Sequence, residues 1–375
     1  MAGTTTISHP GREIHDSKAA RAPRSTWIVS PAFDLLFLAN AWWLAALLPG
    51  FLSTERTPHI EFWQIYFLTT PHRWITLFLV ATDPDRRAGR RGLFLAIAVV
   101  MAVAVCTVRL TTGGFLCLFL VDYLWNSWHF AAQHAGILRM YARKTEWGHP
   151  RLETWALRTL VCYTSLRLAG WSTGWSEGWP SAQFGLTALD VAVTIPTLLL
   201  LTIELVHAPQ RRPGKVAYLV SVATLYMSLL AAVSLGGTTL VLSLTAAAAA
   251  FHAIEYMAVV THYAQRRREQ GTRGLFSSMA RSWAMILASY VVLFGLLARW
   301  ADTFVHEFWL GINLWAAGLH YAYDGLIWKL RTPQTAQALD VELPRGKADR
   351  SGPADPHSQT VAPAAVEPAL ATAER

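Results

Sequence analysis

The chain has 375 residues, 53% of them hydrophobic and only 15% charged, which is too apolar for a typical soluble domain and fits a polytopic membrane protein. The formal net charge is +8, but the basic residues gather in loops between apolar segments, so topology accounts for them and no nucleic-acid partner is implied. The three cysteines, Cys106, Cys117 and Cys162, lie within apolar stretches without paired spacing, a pattern that suggests neither a disulfide framework nor a thiolate zinc site.

Residues 1–30 are polar, contain Pro10 and Pro23 and lack the apolar core of a signal peptide, so they read as a disordered cytoplasmic arm. About ten spans of bilayer length follow. They run Phe33–Leu52, Phe62–Ala81, Leu93–Leu110, Gly114–Leu138, Trp155–Gly170, Phe184–Val206, Val216–Leu235, Thr238–Tyr263, Trp283–Arg299 and Thr303–Leu330. The fifth is short and interrupted by Arg158 and Arg167. The loop after it, from Trp171 to Trp179, alternates tryptophan and glycine and reads as an interfacial aromatic belt. Residues 332–375 are rich in Pro, Ala and mixed charge and read as a disordered cytoplasmic tail.

Every second loop is basic. Arg86, Arg87, Arg90 and Arg91 follow the second span, Arg139, Arg143, Lys144 and Arg151 the fourth, and Arg211, Arg212 and Lys215 the sixth. Arg266, Arg267 and Arg268 follow the eighth, and Lys329 and Arg331 the tenth. The alternate loops hold little beyond Arg56, Arg109 and Arg299. The positive-inside rule then gives an all-α bundle of about ten transmembrane helices in the inner (plasma) membrane, with both termini cytoplasmic.

In that topology the even-numbered spans all run inward. At about 1.5 Å per residue, His72, His129, Glu255 and His320 lie roughly 13–20 Å from the inner charges, and His134, His262 and Asp324 roughly 6–8 Å. Ionisable groups at such depth are costly and point to function. Angular position groups them further. Asp122, Asn126, His129 and Gln133 form one stripe on an otherwise apolar helix, with His134 about 120° away. His252, Glu255 and His262 share a sector, as do His320 and Asp324. A polar stripe cannot face lipid, so these groups must face protein, water or metal.

Neutral imidazole and carboxylate are metal donors. His72, His129, His252 and His320 are the expected ligands. Glu255 and Asp324 are expected as carboxylate ligands or catalytic groups, His134 and His262 as further candidates, and Gln133, Asn126 and Asp122 as hydrogen-bonding support. The segment His129-Phe-Ala-Ala-Gln-His134 resembles the spaced two-histidine box of the histidine-rich integral-membrane di-iron enzymes: fatty-acid desaturases, alkane and sterol hydroxylases and, more distantly, membrane carotenoid-cleaving dioxygenases. The adjacent His-His boxes of the desaturases and hydroxylases do not occur in this sequence. The resemblance implies two irons, a lipid-soluble substrate entering from the bilayer and a cytoplasmic electron donor. Zinc, a b-type haem electron carrier and a proton- or metal-coupled transporter stand as the alternatives. No glycine-rich phosphate loop, nucleotide fold or Ser/His/Asp arrangement is present in the sequence.

Overall fold

A computed structural model describes residues 25–48, 62–175, 183–207, 209–271, 275–330, 333–339 and 341. Among them the chain is helical throughout, with no strand. The long helices are α1 (Phe62–Thr82), α2 (Arg91–Thr112), α3 (Leu116–Lys144), α4 (Pro150–Ser172) and α5 (Gln183–Val206). They continue with α6 (Pro213–Leu235), α7 (Thr238–Glu269), α8 (Trp283–Phe304) and α9 (His306–Ile327). Pro150 and Pro213 open their helices at positions where a missing N–H costs nothing. Gly113 and Gly236 close theirs with φ near +72°, a conformation that needs no Cβ.

Five helices, α2, α5, α6, α7 and the Ala280–Phe304 stretch containing α8, are long and apolar enough to cross a membrane. The outer surfaces of α2, α5 and α8 are rows of exposed Leu, Val and Ile, as a lipid-facing helix requires. α7 instead lies at the centre, with most of its length buried.

Side-chain pairings fix the helix directions. Thr76 meets Tyr256, and Asp83 meets Tyr263 seven residues further along both helices, so α1 and α7 run the same way. Asp122 meets Tyr321, and Arg143 reaches Leu330, so α3 and α9 share a direction. Thr76 meets His320 and Arg86 reaches Ile327, which ties α9 to α1. α4, by contrast, is antiparallel to α3 (Tyr123 with Ser165, Arg139 with Glu153). The interrupted fifth span is thus a full 23-residue helix. Its two arginines are accommodated: Arg167 makes a bidentate pair with Asp190 at 2.8 and 3.0 Å, and Arg158 lies over the Trp128 ring.

Two expectations need correction. The first span, Phe33–Leu52, is not one helix. It is a π-helical turn (Asp34–Leu38), a left-handed Asn40 and a 3-10 stretch (Ala41–Leu47), and residues 49–52 lie outside the described residues. The buried Asp34 carboxylate accepts the N–H groups of Ile28, Val29 and Ser30 and the Tyr141 hydroxyl, drawing the chain out of regular helix. The second correction concerns the tail. Residues 333–341 lie within it, yet Thr335, Ala336, Leu339 and Val341 are buried against the bundle. The remainder of the tail, and the arm before residue 25, lie outside the described residues.

Candidate metal centre

The four parallel helices α1, α3, α7 and α9 each present one histidine at the same level. The ring centroids of His72, His252, His129 and His320 follow one another around a closed circuit at 5.1, 5.0, 4.6 and 4.9 Å. All four residues are buried. The spacing can be compared with that of ligands on an ion. Bonded at about 2.1 Å, an imidazole has its centroid roughly 3.2 Å from the metal, so neighbouring rings stand about 4.5 Å apart in a square and about 5.2 Å in a tetrahedron. The circuit lies between these limits.

The donor atoms fall into two overlapping groups that share His320. His72, His252 and His320 offer ligand atoms within 4.8 Å of one another, and so do His129, His320 and Asp324. Two donors on one ion can stand at most about 4.2 Å apart, so a small inward rotation of the rings completes either set. His72 Nδ1, His129 Nε2, both nitrogens of His252 and His320 Nε2 are buried without any hydrogen-bond partner. Buried polar atoms are nearly always satisfied. A cluster of orphaned imidazole nitrogens this close together is what an ion would satisfy.

Neighbouring side chains fix the rings. His252 stacks on Phe130 with centroids 3.8 Å apart. His320 Nδ1 bonds the Thr76 hydroxyl at 2.7 Å. Asp324 accepts from Tyr256 at 2.7 Å and from Thr76 at 3.2 Å through Oδ1, while Oδ2 stands 3.8 Å from His129 Nε2. One oxygen is thus anchored and the other faces the histidines. Tyr321 packs its ring 5.0 Å from His129, and its hydroxyl is held by Asp122 at 3.0 Å and Asn126 at 3.1 Å. Asp122 and Asn126 thus reach the circuit only through Tyr321.

Three expected ligands are not brought into the circuit. Glu255 accepts from Tyr218, from Gln133 Nε2 at 2.8 Å and from His134 Nδ1 at 3.0 Å. Those partners saturate the carboxylate, and it belongs to neither donor group. His134 spends its other nitrogen on Tyr226 at 3.1 Å. His262 lies ten residues beyond His252, about 15 Å along the helix, and meets the Leu339 carbonyl at 3.2 Å. Gln133 links the two clusters, since its amide also donates to the His252 carbonyl at 3.0 Å.

Two residues escaped the sequence reading. Tyr256 lies one turn from His252, and that spacing alone puts it on the same face. Arg73, next to His72, places a charge in the middle of α1, close to the histidine circuit. Its charge lies within reach of Asp122 and Tyr321, and its Nε has no hydrogen-bond partner.

A cavity of about 500 Å³ adjoins the centre. His129, Gln133, Tyr256, Tyr321 and Asp324 give it a polar patch, and Trp125, Trp128, Ile137, Met140, Leu326 and Trp328 make the rest of the wall mainly apolar. Its size and lining are those of a small-molecule site.

No protein-family model, curated protein or solved structure matches the chain. The site therefore has to be read from its own geometry.

Proposed function

We propose that the protein is a metal-dependent oxidoreductase of the inner membrane, crossing it about ten times with both termini in the cytoplasm, and acting on a lipid or another hydrophobic substrate. The observation that carries this reading is the circuit of buried imidazoles with unpartnered nitrogens beside a largely apolar cavity that His129 and Asp324 line. Each unsatisfied buried group costs about 1–3 kcal/mol, so the arrangement is stable once an ion takes up the lone pairs.

The donor set favours one ion over two. Iron pairs in helical bundles draw several carboxylates from facing helices, and here Asp324 is the single carboxylate grouped with the imidazoles among the described residues. Iron suits four imidazoles and a carboxylate, and zinc shares those donors. A haem would need two opposed histidines with a macrocycle between them, and in this circuit neighbouring rings occupy that plane. Bound here, iron supplies redox chemistry, the chemistry open to a hydrocarbon that has no leaving group to hydrolyse. The chain's own groups do the rest. Thr76 holds the His320 ring, and Tyr256 with Thr76 holds Asp324 Oδ1, leaving a proton-bearing hydroxyl at the cavity edge. The apolar walls exclude bulk water, and a cytoplasmic donor supplies electrons.

The test is metal analysis and a visible spectrum of detergent-purified protein. About one iron per chain without a Soret band is expected, and His129→Ala and His320→Ala are expected to lose it. Full metal content in both variants, or a purified wild type that binds no added metal, overturns the proposal.

A further inference from the structure

We propose that the gap between α3 and α9 is a slot for one unbranched acyl chain, a long-chain fatty acid whose carboxylate rests beside Lys329. Only the inference that this acid is also the substrate rests on the oxidoreductase reading; its binding does not.

The slot is shaped by side chains that are missing. Gly136 on α3 and Gly325 on α9 both border the cavity, and a Cβ built at either meets nothing within 4 Å. Glycine inside a helix costs about 1 kcal/mol relative to alanine, and neither glycine is explained by close packing. Others in the bundle are: a Cβ at Gly295 would stand 2.6 Å from the Phe67 ring, and one at Gly318 would strike the Met101 side chain. Gly136 and Gly325 therefore keep space open where packing does not demand it. Gly325 and Trp128 are exposed on the outer surface of the bundle, so the slot opens sideways.

Two independent measures agree on the occupant's size. From Trp125 to Met140 along α3 the cavity spans about 22 Å. An extended chain advances about 1.2 Å per bond, a third of a residue's reach, which gives about eighteen bonds. The volume of about 500 Å³, at about 30 Å³ for each water-sized group, holds about seventeen methylenes. A two-chain lipid or a forty-carbon polyene needs about twice that space by the same measure.

Charge sets the direction. At one end, Lys329 lines the mouth and Arg143 donates to the Leu330 carbonyl at 2.7 Å. At the other end are Trp125 and Tyr321. A carboxylate is favoured at the first and a methyl end at the second. His129 lies about 16 Å from Met140, so the carbon facing the metal centre is about thirteen bonds from the carboxylate.

The experiment uses full-length protein in detergent with stearic acid brominated at different positions as a tryptophan quencher. Saturable quenching by bromine in the distal half of the chain should be lost when Trp125 and Trp128 are replaced by phenylalanine, and quenching by bromine next to the carboxylate should be lost when Trp328 is. Unlabelled stearate should compete, and its methyl ester should compete less well. Gly136→Leu and Gly325→Leu, on opposite walls, should each weaken binding about tenfold or more, equivalent to 1.4 kcal/mol, with helicity and metal content unchanged. Quenching at either bromine position that survives replacement of the tryptophans at that end, or wild-type affinity in both glycine variants, overturns the slot. Metal is measured on the same samples. Metal without fatty-acid binding refutes the slot alone, and fatty-acid binding without metal refutes the oxidoreductase reading alone.

Discussion

Replacing Thr76 by valine removes one hydroxyl while nearly keeping the side-chain shape. That hydroxyl stands 2.7 Å from His320 Nδ1, 2.6 Å from the Tyr256 hydroxyl and 3.2 Å from Asp324 Oδ1. It therefore orients one proposed ligand directly and helps anchor the only carboxylate grouped with the imidazoles among the described residues. Removing the partner that orients a metal-binding histidine typically weakens metal affinity 10–100-fold, which is about 1.4–2.7 kcal/mol. A second cost falls on folding, because a buried partner left unsatisfied is worth about 1–3 kcal/mol. The two are separable. Competition with a chelator of known affinity reads the first, and thermal unfolding of metal-free protein reads the second. Thr76→Ser restores the hydroxyl and should recover most of the metal affinity. Affinity within about twofold of wild type in the valine variant, a difference under about 0.4 kcal/mol, would refute the claim that Thr76 positions the ring. So would a serine variant as weak as valine.

Glu255→Gln should leave metal content intact, because Glu255 is taken up by Tyr218, Gln133 and His134; it should destabilise the fold by about 1–3 kcal/mol, seen as a lower melting temperature, and loss of metal would return Glu255 to the ligand set. Lys215→Met removes the ammonium that bridges Glu153 and Glu204 at 2.7 and 2.6 Å, leaving Glu153 with Arg139 and Glu204 with Arg212. A loss of about 1–3 kcal/mol is expected, and melting curves of the variant and wild type measure it. Gly295→Ala pushes a methyl group to 2.6 Å from the Phe67 ring; a cost of about 1–3 kcal/mol is expected, and an unchanged melting temperature would show that α1 and α8 separate freely.

The helices were legible because apolar length and turn chemistry act locally. The spans bounded by apolar length at Trp155, Val216, Leu110 and Leu235 end within a few residues of the helix ends, which Pro150, Pro213, Gly113 and Gly236 set. The four clustered histidines were legible because ionisable groups within apolar segments are rare and the basic loops between the segments ordered them. What remained hidden is pairwise. His252 and Glu255 share a helical face, yet the sequence does not reveal that Gln133, His134 and Tyr218 claim the carboxylate first. Lys215 reads as one more loop charge, whereas it is wholly buried between two glutamates from α4 and α5. Asp34 and Asn40 sit in an apolar stretch that hydropathy treats as a single helix. Their departure from it depends on Tyr141 and on the Phe251 carbonyl, far away in sequence.

Of the helices that carry the clustered histidines, α1 and α3 belong to the amino-terminal half of the chain and α7 and α9 to the carboxy-terminal half, and no two are consecutive. A break in the loop between α4 and α5 would leave each fragment with only two of the four imidazoles. Uptake of the proposed ion would therefore require the finished tertiary assembly, and the ion would act as a clasp between the two halves. Co-expressed halves that regain metal would thereby report their own reassociation.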